Sequence, residues 1–395
     1  MAPRESTWSE EAHKRILEKK THASFPQLKY PSLRDVGLKD AVQWLQGKSL
    51  DDGAEDLWRI HDKLYDFTTF IDQHPGGEEW LEFTKGTDIT EAFEAHHIYP
   101  TAEKLLSKYY IKDAKGPRNS PFTFRDDDFY RTLKRAAREE LKTIPKDIIS
   151  HTADRITDGI FMTLLFNAPL ACWFEDNVLA SLFYVISSLA LCFLTVACHN
   201  YIHRRNNWRM YLFNLSMWSY RFISIFAREH FFVTHYSWHD IIGLLLPLWM
   251  KVISNAAWTY VLYTWLWIVC TASLLFFVTA VNAAHHHPDA IKDGDQPSNE
   301  TPDWGAHQVE ALLDRKDVNS STFAVMILFG EHALHHMFPT LDHAVLRHLH
   351  PVFLKHCDKY QANYRASTQF KLVLGQIREC MRTEFRSDTD RRMFK

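Results

Sequence analysis

Polar and apolar positions divide this chain into two regimes. Over roughly the first 150 residues, apolar positions come in short bursts; beyond that they gather into long runs. Leu57-Trp58-Arg59-Ile60 and Lys63-Leu64-Tyr65-Asp66 alternate, which predicts short strands around a His61-Asp62 turn. One short helix is expected from Lys39 to Gly47, and another over 126–142. Further on, Ile160 to Trp173 and Val178 to Cys198 are apolar runs broken by Glu175-Asp176-Asn177. The second is long enough to cross a bilayer; the first reaches that length only from about Ile156, with Asp158 interfacial. Residues 211–229, interrupted by Arg221, predict an amphipathic interfacial helix. Ile241 to Asn282 could hold two spans as a tight hairpin, although Lys251 in its first half sits badly in lipid.

Composition agrees with a polar part joined to an apolar one. The chain of 395 residues is 46% hydrophobic and 14% aromatic, yet its mean hydropathy is negative. A net charge of -3 gives no argument for a nucleic-acid partner. Cys172, Cys192, Cys198, Cys270, Cys357 and Cys380 are scattered with no CxxC spacing, so neither a disulfide frame nor a thiolate metal site is indicated. The opening MAPRESTWSEEAHKR is polar and does not read as a secretory signal. Membrane insertion is therefore expected from internal segments. The basic stretch after the second run, with Arg204, Arg205 and Arg209, places His199 and His203 on the cytosolic side.

Two groups of motifs carry chemistry. His74-Pro75-Gly76-Gly77 is a turn in which Pro75 fixes φ and the glycines permit a tight backbone, leaving His74 projecting at a helix start. The surrounding WRIHDKLYDFTTFIDQHPGGEEWL closely resembles cytochrome b5. That resemblance implies a small α+β module binding haem b between two histidines. His74 is the first ligand and His97, four residues after Phe93 of Asp88-Ile89-Thr90-Glu91-Ala92-Phe93, the second, with His96 as its fallback. A bis-histidine, six-coordinate haem suits electron transfer rather than oxygen binding. The expected organisation is a flexible segment over 1–40, the haem module over 41–115 and a linker over 116–150. An all-α multi-pass membrane region over 151–365 and a tail over 366–395 follow.

The second group is four histidine clusters: His199/His203, His235/His239, His285-His286-His287, and His332/His335/His336. On a helix, spacings of three and four place side chains on one face. Neutral imidazole binds transition metals and is less costly to bury than carboxylate. The pattern looks like a membrane fatty-acid desaturase, in which two apolar hairpins present three histidine boxes to the cytosol. His199-x3-His203 corresponds to the first box. His332-x2-His335-His336 followed by Met-Phe-Pro corresponds to the third. Asn282-Ala-Ala-His285-His286-His287 corresponds to a further ligand element, with His285 or His286 the ligand. The phrases NAAHHHPDAIKDGD and GEHALHHMFPTLDH are similar to the animal cytochrome b5-related proteins, a likeness covering nearly the whole chain. The second box departs from the family: His235-x3-His239 is followed by Asp240 where a histidine is usual. Three roles are open to Asp240: direct iron ligand, acceptor orienting His239, or the mark of a lost site. His287 is expected beside the ligands, His230 and His307 outside the site, and His343, His348, His350 and His356 on a solvated tail.

An unactivated methylene has no acidic proton, so removing its hydrogen requires an iron–oxygen oxidant rather than a side-chain base. The resemblance implies two non-haem irons held by His199, His203, His235, His239, His285 or His286, His332, His335 and His336, with Asp240 beside them. It implies O2-dependent desaturation of a lipid acyl chain in the endoplasmic reticulum membrane. Electrons would come from the fused haem, itself reduced by NADH-cytochrome b5 reductase. The alternatives are lipid hydroxylation, or a membrane-tethered electron carrier on a degenerate scaffold. The orientation is tested by the sequons at Asn214, Asn299 and Asn319, all expected at the cytosolic side or its surface. In microsomes Asn299 and Asn319 should carry no glycan, and endoglycosidase should leave mobility unchanged. A glycan on either reverses the topology.

Overall fold

The computed structural model describes residues 24–25, 28, 41–174, 178–204, 207–216, 238–277, 282–292, 294–319 and 321–384. The first helix spans Ala41–Asp51, ending beyond the expected Gly47, while Lys39 and Asp40 lie outside the described residues. β1 (Trp58–Ile60) and β2 (Lys63–Tyr65) pair antiparallel with Trp58 opposite Tyr65 and Ile60 opposite Lys63. His61 begins the connecting turn with a left-handed φ of 55°. β3 (Tyr110–Asp113) returns to β2 and was not foreseen, because all its residues are exposed and leave no alternation to read. Helices Glu78–Thr84, Thr90–His96 and Pro100–Tyr109 complete this α+β unit. Its core is Trp58, Ile60, Tyr65, Phe67, Leu81 and Phe93.

The expected linker is a structural element. Its helix, Phe129–Leu141, buries Phe129, Tyr130, Leu133, Ala137 and Leu141 along one face. That face shares one core with Ala95 and Ile98 of the α+β unit and with Ala333, Leu334, Met337 and Phe338 far along the chain. The two halves are therefore packed on each other.

Among the described residues, three helices are long and apolar enough to cross a membrane: Lys146–Trp173, Val178–Ile202 and Trp258–Leu275. The first begins well before the apolar run starts, so its 28 residues rise about 42 Å at 1.5 Å per residue. The expected hairpin over Ile241 to Asn282 is only half realised. Ile242–Ser254 has 13 residues, too few to span. Asn255 ends it in a left-handed conformation. Lys251 Nζ lies at that turn and donates to Ala256 O at 2.8 Å, which relieves the difficulty of placing it in lipid. Of the expected interfacial helix, the described part is a 3-10 turn over Trp208–Leu215; 217–237 lie outside the described residues. Five further helices follow among the described residues: Trp304–Glu310, Thr322–Leu328, His332–Met337, His343–Tyr360 and Gln369–Cys380.

One buried ionic cluster pins the halves together. Glu94, on Thr90–His96, accepts from Lys134 Nζ at 2.9 Å and from Arg131, both on the linker helix, and bonds His61 Nε2 at 2.8 Å. Burial alone would raise its pKa, but the His61 hydrogen bond and the charges of Lys134 and Arg131 outweigh that and hold it well below the usual carboxylate range. A depressed carboxylate contributes stability that is complete above its unfolded pKa and lost as pH falls through the folded one. Glu94→Gln strands Lys134 in the interior. It should lower stability by about 3–5 kcal/mol, read as an earlier midpoint in a denaturant titration of the detergent-solubilised chain.

Candidate haem and metal centres

His74 follows the 3-10 turn Ile71–Gln73, and Gly77 beyond it has a φ of 105°. A Cβ on Gly76 would lie 2.9 Å from His74 Cε1, so the glycine leaves the room that this ring occupies. His74 Nδ1 donates to Gly77 O at 2.8 Å, and His97 Nδ1 donates to Phe93 O at 2.9 Å. Each ring thus has its orientation fixed by one nitrogen and keeps Nε2 for a metal. The ring centroids are 6.2 Å apart. Two imidazoles on opposite sides of one metal, at nitrogen distances of about 2.0–2.1 Å, would have centroids roughly 6 Å apart. Burial pushes the His97 pKa down to about 4, keeping it neutral as a ligand must be. The pair therefore fits a haem iron. His96 is turned differently. Its Nδ1 bonds Ala92 O at 2.9 Å, and its ring lies 5.7 Å from that of His203.

The histidine clusters converge as two groups of three. His199, His203 and His335 form one; His285, His332 and His336 form the other; in each, the ligand atoms lie within 4.8 Å of one another. Nitrogens on one metal at about 2.0–2.1 Å are at most about 4.2 Å apart, so a small inward adjustment completes either site. In the first group His199 Nε2 is 3.2 Å from both His335 Nε2 and His203 Nε2. In the second, ring centroids are 4.8 Å (His285–His332), 4.9 Å (His285–His336) and 4.9 Å (His332–His336) apart. The short helix His332–Met337 supplies both groups, since i and i+4 enter one and i+3 the other.

Its placement follows from local chemistry. Glu331 precedes it in a left-handed conformation and bonds His350 Nδ1 at 2.6 Å. Asp314 Oδ1 accepts from the His332 and Ala333 amides at 2.6 and 3.4 Å, capping the helix from a distance. Gln308 Oε1 accepts from His336 Nδ1 at 3.1 Å, which orients that ring. Burial lowers the pKa of His285 to about 4 and of His203 and His336 to about 3, and pushes His332 and His335 well down. Each is a neutral donor at physiological pH.

The remaining expected residues lie elsewhere. His286 is exposed, past the end of Asn282–His285, so of the two alternatives only His285 enters a group. His239 stacks on Tyr211 at 4.5 Å and is in neither group among the described residues. His235, His230 and the Asp240 side chain lie outside the described residues. His287 is held near Asp289 and Gly375 instead of beside the ligands. His307 packs on Phe122 and Phe25.

The sequence reading missed His343. Expected on a solvated tail, it is fully buried, with its ring 4.6 Å from that of His335. Its amide donates to Asn200 Oδ1 of the first cluster at 3.0 Å. Both its ring nitrogens and His335 Nδ1 are buried with no hydrogen-bond partner among the described residues. Buried polar atoms left so are costly, and a metal with its water beside these rings would satisfy them. Asp342 was the available signal, a helix-starting aspartate that accepts from Ala344 N at 2.9 Å.

Known families match both halves. The Cytochrome b5-like Heme/Steroid binding domain family matches residues 43–115, and the Fatty acid desaturase family matches residues 222–368. The Cytochrome b5-related protein of Drosophila melanogaster is 35% identical over 420 residues, covering 90% of this chain and 95% of that protein. The Probable Delta(5) fatty acid desaturase C of Dictyostelium discoideum is 22% identical, covering 80% of this chain and 88% of its own. Cytochrome b5 type B of Mus musculus is 37% identical over 95 residues, 24% of this chain and 57% of that protein. No solved structure matches the chain.

The geometry separates the neighbouring histidines. His97→Ala should abolish the haem Soret band of the purified full-length chain, whereas His96→Ala should retain it. The opposite result assigns the second ligand to His96.

Proposed function

Because the chain belongs to the cytochrome b5-related proteins, in which a b5-like haem domain is joined to a fatty-acid-desaturase-like domain, we propose that it is an O2-dependent lipid acyl-chain desaturase of the endoplasmic reticulum membrane. The observation that carries this reading is the pair of three-histidine groups flanking one short helix. Neutral imidazoles hold two cations without stacking negative charge beside an apolar substrate. When bound, the haem supplies single electrons and the irons supply the oxygen-activating chemistry that an unactivated methylene requires.

The chain's own residues do the positioning. His74 and His97 hold the haem b iron. His199, His203 and His335 hold one non-haem iron and His285, His332 and His336 the other, with His235, His239 and Asp240 left to complete the shells. Gln308 fixes the His336 ring, and Asp314 fixes the helix that carries three of the ligands. NADH-cytochrome b5 reductase is the proposed source of electrons for the haem, and a membrane lipid acyl chain the substrate. The haem domain and the boxes are placed on the cytosolic side.

A second reading rests on a specific observation: His239 stacks on Tyr211 and stands in neither group. On that reading Asp240 marks a lost second box, and the chain is a membrane-tethered electron carrier. Metal content separates the two. Purified chain should carry about one haem and about two non-haem irons, and its expression in yeast microsomes should add a double bond to a membrane fatty acid. Haem with no non-haem iron favours the carrier. If Asp240 is the weak point, Asp240→His should then raise the iron content. A new hydroxyl in place of a double bond identifies a hydroxylase.

A further inference from the structure

The residue beside the haem ligand meets one of the two histidine groups. His96 is the last residue of Thr90–His96, next to His97, and its ring centroid is 5.7 Å from that of His203. His203 Nε2 is in turn 3.2 Å from His199 Nε2 within the first group. We propose that His96 is the bridge by which the haem passes electrons to the histidine-held iron. This deepens the desaturase reading and rests on it. The step moves one electron: the haem iron goes from ferrous to ferric and one non-haem iron from ferric to ferrous, with no atom or proton transferred.

The contact is held rigidly from both sides. Thr340 Oγ1, just past the His332–Met337 helix, donates to His96 O at 3.0 Å. Tyr130 Oη bonds both Glu94 O, at 2.7 Å, and Met337 O, at 3.2 Å. Ala95 and Ile98, on either side of the two histidines, are buried in the core that contains Ala333 and Leu334. His96 Nδ1 is taken up by its own helix at Ala92 O, so the ring is oriented without help from a metal. A swinging haem domain needs none of these contacts; together they hold the two centres at a fixed distance, and no single one of them is the electron's path. A competing route through Glu94 O, Tyr130 and Met337 O ends on backbone beside His336.

The test uses the full-length chain loaded with haem and iron. The haem is photoreduced anaerobically by an external sensitiser, and its reoxidation is followed in the Soret band as the electron leaves for the ferric site. His96→Leu should slow reoxidation by at least an order of magnitude, with haem potential, Soret maximum and non-haem iron content unchanged. His96→Gln, which keeps a polar group near Ala92 O, is the second variant and should be slow as well. Tyr130→Phe should be as fast as the wild type. Reoxidation at the wild-type rate in both His96 variants overturns the proposal. So does loss of non-haem iron from them, which would make His96 a ligand, and so does slowing confined to Tyr130→Phe. Failure of the iron-loaded wild type to reoxidise its haem overturns the fused-donor reading itself.

Discussion

Everything in this molecule depends on keeping a set of buried imidazoles uncharged and facing one another. A protonated histidine repels both a cation and its neighbours, and burial penalises that form. Packing thus supplies the donor state a metal needs, without a carboxylate in either group among the described residues. The requirement is strict because the donors come from three separated places in the chain: the end of Val178–Ile202, the turn Asn282–His285 and the helix His332–Met337. Asp314 capping that last helix, and Asn200 holding the amide of His343, are the polar ties that make those places converge.

The same convergence recruits the haem domain. The linker helix Phe129–Leu141 joins one core with the end of the haem domain and the helix that bears the third cluster. The Glu94 cluster closes that seam with charges that are buried yet paired. A buried pair is weak evidence for net stability, since desolvation opposes the Coulomb gain. What it does well is fix geometry, because no shifted docking satisfies Lys134, Arg131 and His61 at once. A tethered donor already gains effective concentration; a docked one also gains a defined distance.

Much of this was legible in the sequence, and the failures have physical causes. Strands β1 and β2 and the helix over 126–142 could be read because alternation and helical period are local signals; the His74 and His97 pair was expected from the resemblance, and their rings stand 6.2 Å apart. His332, His335 and His336 were grouped from spacing, whereas His285 or His286 was named from the resemblance. β3 was lost because an exposed edge strand has no burial pattern. The start of the first long helix was lost because its polar turns, Lys146 to Arg155, look like linker until a partner is seen. His343 was misplaced although it shares a helix face with the buried Leu346, Phe353 and Cys357, because a histidine in the first helical turn was taken for a solvated one. Which of His285 and His286 faces inward depends on where a four-residue helix stops, and composition cannot tell.

Depth in the membrane is the last constraint, and polar contacts set it. A helix of about 42 Å exceeds a hydrocarbon core of about 30 Å, so part of Lys146–Trp173 lies outside the core. The part outside is the one carrying Asp154 and Asp158. Both pair with Arg209, at 3.0 Å from Asp154 Oδ2 and 2.7 Å from Asp158 Oδ1. Tyr201 Oη donates to Asp154 Oδ1 at 2.9 Å and lies 3.3 Å from Thr157 Oγ1. Since Tyr201 stands between His199 and His203, the first metal group is tied to the level of these carboxylates. In the proposed membrane arrangement that level is the boundary between lipid and water. On the proposed function, an acyl chain would then reach the histidine groups from the hydrocarbon side and electrons from the aqueous side, so that substrate and electrons would come from opposite directions.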